Sequence, residues 1–178
     1  FATPTLGGFN AALQYGFGEV PGASKRGRNM SLGATYTAGG WRTAVVASEH
    51  RDRPVDIAGR LGLQQAFGLA LTPGTPVVTD AVRNVAIGTS WRQAGTLVGA
   101  AWSRTRMAAR GQTAVQDNLD LGAAWSLPAN NTLQATLTLS EFESARWTQL
   151  TLSGIHAFSK RTSVYVQGRI QRAGGSAS

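Results

Sequence analysis

Apolar and polar residues alternate one for one along this chain, in one strand-length segment after another. In Phe9–Gly18, the odd positions hold Phe9, Ala11, Leu13, Tyr15 and Phe17, and the even ones Asn10, Ala12, Gln14, Gly16 and Gly18. Successive side chains of an extended strand point to opposite sides, so the segment shows one apolar wall and one small, polar wall. The same pattern sets Leu119, Leu121, Ala123, Trp125 and Leu127 against Asn118, Asp120, Gly122, Ala124 and Ser126. It returns with Leu133, Ala135, Leu137 and Leu139 against Gln134, Thr136, Thr138 and Ser140. One such segment fits the half-buried strand of any soluble sandwich. Nine in succession require a common sheet with two chemically distinct faces.

The nine expected strands are Phe9–Gly18, Asn29–Thr37, Trp41–His50, Asn84–Arg92, Thr96–Arg104, Asp117–Leu127, Thr132–Ser140, Trp147–Phe158 and Thr162–Arg172. Short turns follow the second, fourth, sixth and eighth, at Ala38–Gly40, Gln93–Gly95, Pro128–Asn131 and Ser159–Arg161. The intervening connections read as loops: 19–28, 51–83, 105–116 and a brief polar one at 141–146. Antiparallel neighbours reverse direction, so the short turns share one end of the sheet and the loops the other. In the longest loop, Arg60–Leu71 also alternates, with Thr72–Thr75 as a turn and Pro76–Val82 returning. It suits an additional hairpin or an extension of the loop, and we read it as loop.

Alternation combined with this asymmetry of connections points to an all-β, antiparallel transmembrane β-barrel forming a single domain, with tight turns on one side and extended loops on the other. Hydrophobic residues are 42% of the chain, and no run approaches the ~18 apolar residues of a spanning helix. A barrel escapes hydropathy scans because only every second residue meets lipid. Aromatic residues support this: Tyr36, Trp41, Trp91, Trp125 and Phe158 flank the short turns on the apolar face. Amphipathic rings suit the lipid–water boundary, and these five are the expected girdle. Tyr15, Phe17 and Trp102 fall toward the opposite end and suit a second one.

Of 17 basic residues 15 are arginine, against 9 acidic ones, for a net charge of +8. The arginines are spread over loops, strand ends and the polar face rather than gathered on a helix with stacking partners, so nucleic acid is not an expected partner. A basic pore lining and contact with lipopolysaccharide phosphates explain the excess. The expected pore-lining residues are Arg42 and Arg92 near the short turns, Arg169 further up, and His50 and Asp120 toward the loops, with Gln14, Gln134 and Thr136 as uncharged lining. Gly16, Gly33, Gly88 and Gly122 keep that wall low. Arg104 falls on the apolar phase at the loop end, where its long stem reaches lipid phosphates.

Catalysis finds little support. The two histidines, His50 and His156, lack a nucleophile and an orienting carboxylate at motif spacing, and Ser153 and His156 fall on opposite faces of one strand. No His/carboxylate cluster has metal-ligand spacing, no nucleotide-binding glycine motif is present, and cysteine is absent. Neither enzyme activity nor a cofactor is expected.

The turn Phe158-Ser159-Lys160-Arg161-Thr162, followed by Val164-Tyr165, resembles the Ser-Lys-Arg-Thr turn before the penultimate strand of general Gram-negative porins. Ala12–Glu19 and Tyr36–Val46 are compatible with the same family. The resemblance covers most of the chain except 52–83. It implies a sixteen-stranded, trimeric, water-filled diffusion channel in the outer membrane, with partners in outer-membrane lipid, lipopolysaccharide and the permeating solutes. Counting back from the Ser159–Thr162 turn makes Phe9–Gly18 the seventh strand, which agrees in parity with the loop lengths. On that count the constriction loop and most trimer contacts lie in other strands. The expectation is therefore a fragment, lacking earlier strands and a closing strand and unable to close alone. Tyr165 departs from the pattern by falling on the polar face, and His156 stands where an aromatic is usual. The alternatives are another outer-membrane barrel (a specific transporter, an autotransporter β-domain or a barrel hydrolase) and a soluble ligand-binding β-barrel.

Overall fold

The computed structural model describes residues 1–18 and 26–175. Nine long strands form one antiparallel meander in which each strand pairs with the next long one. They are β1 (Phe9–Gly16), β2 (Asn29–Ala38), β3 (Trp41–Val55), β6 (Val77–Gln93), β7 (Thr96–Ala109), β8 (Gln112–Leu127), β9 (Asn131–Phe142), β10 (Ala145–Ala157) and β11 (Ser163–Gly175). Between β3 and β6 the chain makes an excursion containing a short helix, α1 (Ile57–Leu61), and a two-rung hairpin, β4 (Gln65–Ala66) with β5 (Leu69–Ala70). On the open side of β1, Phe1–Thr3 adds backbone hydrogen bonds to Ala11 and Leu13.

The short turns fall where expected. Ala38 pairs with Trp41 and Gln93 with Thr96, leaving the two-residue turns Gly39-Gly40 and Ala94-Gly95. Ala94 and Gly95 both have positive φ, +46° and +79°. Left-handed conformations at both turn positions match the twist of the flanking strands.

The loop end differs from expectation. β7 and β8 run past the expected 105–116 loop and meet at a two-residue turn, Arg110-Gly111, with φ of +52° and +77°. β9 and β10 likewise meet at Glu143-Ser144. β3 and β6 extend into the expected 51–83 loop, pairing as far as Val55 and Val77. β11 continues through Ala173, where a loop was expected, whereas β1 stops at Gly16 rather than Gly18. Most of the 19–28 loop lies outside the described residues. The asymmetry of the two ends is thus one of strand length. A tilted spanning strand needs about 9–11 residues, and β6 has 17 and β8 has 16, so these strands overshoot at the loop end.

In that overhang the chemistry of the two faces is exchanged. Lower down, β7 points Val98, Ala100 and Trp102 to the apolar side and Gly99, Ala101 and Ser103 to the other. Past Trp102 the first side carries Arg104 and Arg106, and the second carries Met107 and Ala109. The excursion packs on those inward apolar residues. Ile57, Leu63, Ala66 and Phe67 form a buried core with Val82, Met107, Ala109, Ala114, Phe142 and Ala145. Arg60–Leu71 is therefore neither a strand nor a barrel hairpin. Asp56 caps α1 by accepting from the Gly59 amide, and Gly62 ends it at φ +71°, a left-handed stop that favours glycine.

Candidate functional site

The sheet register brings all eight expected lining residues to one face. Gln14 lies opposite Ser31, and His50 between Asn29 and Val82. Arg42 lies between Thr37 and Ser90, and Arg92 opposite Leu97. Gln134 sits between Ala124 and Ser153, and Thr136 between Gly122 and Thr151, whose other neighbour is Arg169. Asp120 lies between Ala101 and Thr138 and accepts a 2.6 Å hydrogen bond from the Thr138 hydroxyl.

A cleft of about 560 Å³ opens on this face, with Arg42 and Asp120 among its charged lining and Gly88, Gly99 and Gly122 beneath. Toward the loop end, Asn84 donates to Ser48 and accepts from Thr105 at 2.7 Å. Asn118 donates to Ser103 and accepts from Ser140 at 2.7 Å. Among the described residues no buried side-chain polar atom lacks a partner. The face is a polar wall that satisfies itself and leaves its exposed amides and hydroxyls to water.

The opposite face carries the expected aromatics. Trp41 and Trp91 are directly paired across β3 and β6, their rings 6.2 Å apart. Tyr36 and Trp125 share their face and their end of the sheet, and Phe158 follows the last residue of β10. His156 stacks edge-on against Phe158 at 4.5 Å, and its Nδ1 lies 2.9 Å from Asn131 Oδ1. That histidine is held between the Phe158 ring and the Asn131 amide. Thr43 and Thr89 meet hydroxyl to hydroxyl at 3.0 Å on this apolar wall, as the next outward pair after Trp41 and Trp91. At the loop end, Tyr15 packs edge-on against Phe17 at 4.9 Å, and the Arg104 guanidinium lies 5.6 Å over Trp102.

Beyond those rings runs a belt of charge that sequence reading assigned largely to loops. Glu49 receives Arg83 at 2.7 Å, Arg51 at 2.8 Å and Arg28 at 3.5 Å. Arg104 pairs with Asp117, and Arg146 with Glu141. Glu49 and Asp117 lie in strands as expected, whereas Glu141, read as loop, is a residue of β9. A second omission is Arg60. It sits on the last turn of α1 and lines clefts on the polar face.

No described residue covers the leucine-rich face. Leu32 is 54% exposed, Leu152 52% and Ile170 75%, whereas every described hydrophobic residue that is buried belongs to the excursion or the strand ends around it. Soluble monomers seldom expose apolar patches beyond a few hundred Å², and this one crosses nine strands. The sequence matches the profile of the Gram-negative porins over residues 1–175. The chain belongs to that family. Porins are non-enzymatic, and their membership locates the chain in the outer membrane of a Gram-negative bacterium. No curated protein sequence matches it.

Solved structures share its fold at low identity. A loop-deletion mutant of OmpT, an outer membrane protein of Vibrio cholerae, is 14% identical with a TM-score of 0.73, covering 97% of this chain and 56% of its own. A porin refined at 1.8 Å is 11% identical with a TM-score of 0.69, covering 96% and 54%. Salmonella typhi OmpF, solved with daunomycin, is 14% identical with a TM-score of 0.62, covering 91% and 49%. The chain thus spans about half the length of the solved structures it matches.

Proposed function

We propose that the polar face lines a water-filled pore through which small hydrophilic solutes and ions diffuse passively across the outer membrane. The observation that carries this reading is the two-sided sheet. An uncovered leucine-rich wall requires lipid, and a wall of amides, hydroxyls and glycines requires water. Tyr36, Trp41, Trp91, Trp125 and Phe158 then mark one lipid–water boundary. The belt around Glu49, Arg104 and Arg146 lies at the other, where surplus arginine suits lipid and lipopolysaccharide phosphates. Membership of the porin family supports assembly as a homotrimer.

The pore prefers anions. Arg42, Arg92 and Arg169 stand on the polar face against Asp120, whose carboxylate is engaged by Thr138. Fixed charges in a narrow aqueous path bias the ions that enter it. Planar-bilayer recording from the whole polypeptide that carries these residues provides the test. Stepwise currents and an anionic reversal potential in a KCl gradient are expected, and Arg42→Gln with Arg92→Gln moves that potential toward zero. Channels that prefer cations would falsify the anionic reading, and absence of stepwise currents would remove the pore.

A further inference from the structure

We infer that the excursion between β3 and β6 is a fixed sill inside the mouth of the pore, and that Arg60 on it is a specificity-determining residue for small anionic solutes. The inference rests on the pore reading and adds to it a constriction and a residue.

Placement is the first argument. The residues that hold the excursion come from β6 (Val82), β7 (Met107), β8 (Ala114), β9 (Phe142) and β10 (Ala145), all on the lining side of the sheet. The anchoring strip therefore crosses five consecutive strands, and a segment seated along it lies on the inner wall of the mouth and narrows it from that side. Without the excursion, those apolar side chains would face the aqueous mouth.

Rigidity is the second. The Asp56 carboxylate accepts from the Gly59 amide at 2.8 Å and from the Gly74 amide at 3.0 Å, latching the start of the segment to its end. Leu71 N–H donates to Gln64 O at 2.8 Å across the small hairpin. Thr79, fully buried beneath, donates to Arg53 O. These bonds and the core behind them hold the segment in one position.

Charge is the third. Arg60 is exposed in the last turn of α1, the helix whose Ile57 and Ala58 are buried. It lines a cleft of about 190 Å³ with Gln116, Thr138, Gln149 and Gln171, so it reaches toward β11 from a segment rooted in β3. On its other side it lines a cleft of about 260 Å³ with Arg53, Asn84 and Thr105. No carboxylate lines either cleft, and Arg60 forms no ion pair with a described residue. A guanidinium set among amides and hydroxyls, with no internal counter-ion, attracts anions and offers carboxylates or phosphates a planar, two-pronged donor.

The experiment is single-channel recording from the whole polypeptide, comparing wild type with Arg60→Gln, Arg60→Lys and Arg60→Cys. Arg60→Gln should lower the anion-to-cation permeability ratio about two- to threefold, more at low salt than at 1 M because screening shortens the reach of a fixed charge. Arg60→Lys should keep most of the ratio. The chain has no cysteine, so Arg60→Cys, with any cysteine elsewhere in the whole polypeptide changed to serine, gives a unique thiol, and an anionic methanethiosulfonate reagent should cut the current in discrete steps. Normal channels whose selectivity ignores Arg60→Gln and whose current ignores labelling of Arg60→Cys overturn the inference and spare the pore. A wild type with no stepwise current overturns both.

Discussion

Arg104 and Asp117 face each other across β7 and β8 as a two-pronged pair, Nε to Oδ1 at 2.8 Å and Nη2 to Oδ2 at 3.0 Å, on the same side of the sheet as Trp102 and Leu119. Ionised partners on a lipid-facing wall are tolerated only where water begins, so this pair marks the upper limit of the hydrocarbon.

Substitutions on that wall should therefore depend on height. Leu121→Arg, near mid-wall and opposite Ala100 and Leu137, should cost about 2–4 kcal/mol of stability in lipid. Arg104→Leu should leave assembly intact. Refolding into vesicles, followed by heat-modifiable gel mobility, separates the two. Equal damage from both would contradict the proposed limit. Thr136→Ala on the polar face should assemble normally.

The hydroxyl pair Thr43–Thr89 offers a test within the wall itself. Thr43→Val leaves Thr89 facing lipid without that partner, at a cost of about 1 kcal/mol. The double change to valine should recover most of that loss. Denaturant titration of the lipid-embedded protein measures the coupling, and strictly additive effects would show the contact to be energetically silent.

Asp56→Ala should loosen the sill without unfolding the sheet. A lost helix cap costs about 1 kcal/mol, and here the same carboxylate also holds the Gly74 amide. Trypsin should cut faster after Arg60 in this variant, while cleavage after Arg104 stays slow. Unchanged cleavage at Arg60 would mean the latch contributes nothing.

At the short-turn end, Gly95→Val should slow folding and lower stability by about 1–2 kcal/mol, because φ is +79° there and a β-branched residue resists the left-handed region. A side chain at Gly95 would meet Ser126 only in ordinary contact at 3.4 Å, and one at Gly111, at φ +77°, would meet open space. Gly111→Val should therefore carry the same backbone strain and cost a similar amount in thermal melts.

The spanning part of the sheet was readable from the sequence because lipid on one side and water on the other impose alternation on every strand, as at Leu133–Ser140. The overhang was not. Once β7 clears the hydrocarbon at Arg104, its outer side turns polar and its inner side apolar, so the alternation continues in opposite phase and reads as loop. The excursion misled differently. Leu61, Leu63, Phe67, Leu69 and Leu71 imitate a strand, yet Leu63 and Phe67 are core residues of an irregular segment. Its signal lay in Asp56 and Gly62, a cap and a left-handed stop around five helical residues. Arg60 could not be recognised until that helix was seen, because its place depends on where the segment folds rather than on its neighbours in sequence.

The reversal of the two faces at the upper rim also sets immersion depth. Sliding β8 by one residue would turn Leu121 inward and Ala114 outward together, a double penalty that fixes register more firmly than either zone alone. Sinking the whole sheet by one pair of residues would drown Arg104 and push Trp41 clear of the oil, and raising it by as much would bury Trp41 and lift Trp102 into water. The molecule thus carries its own waterline, inscribed in side chains from Glu49 to Arg146.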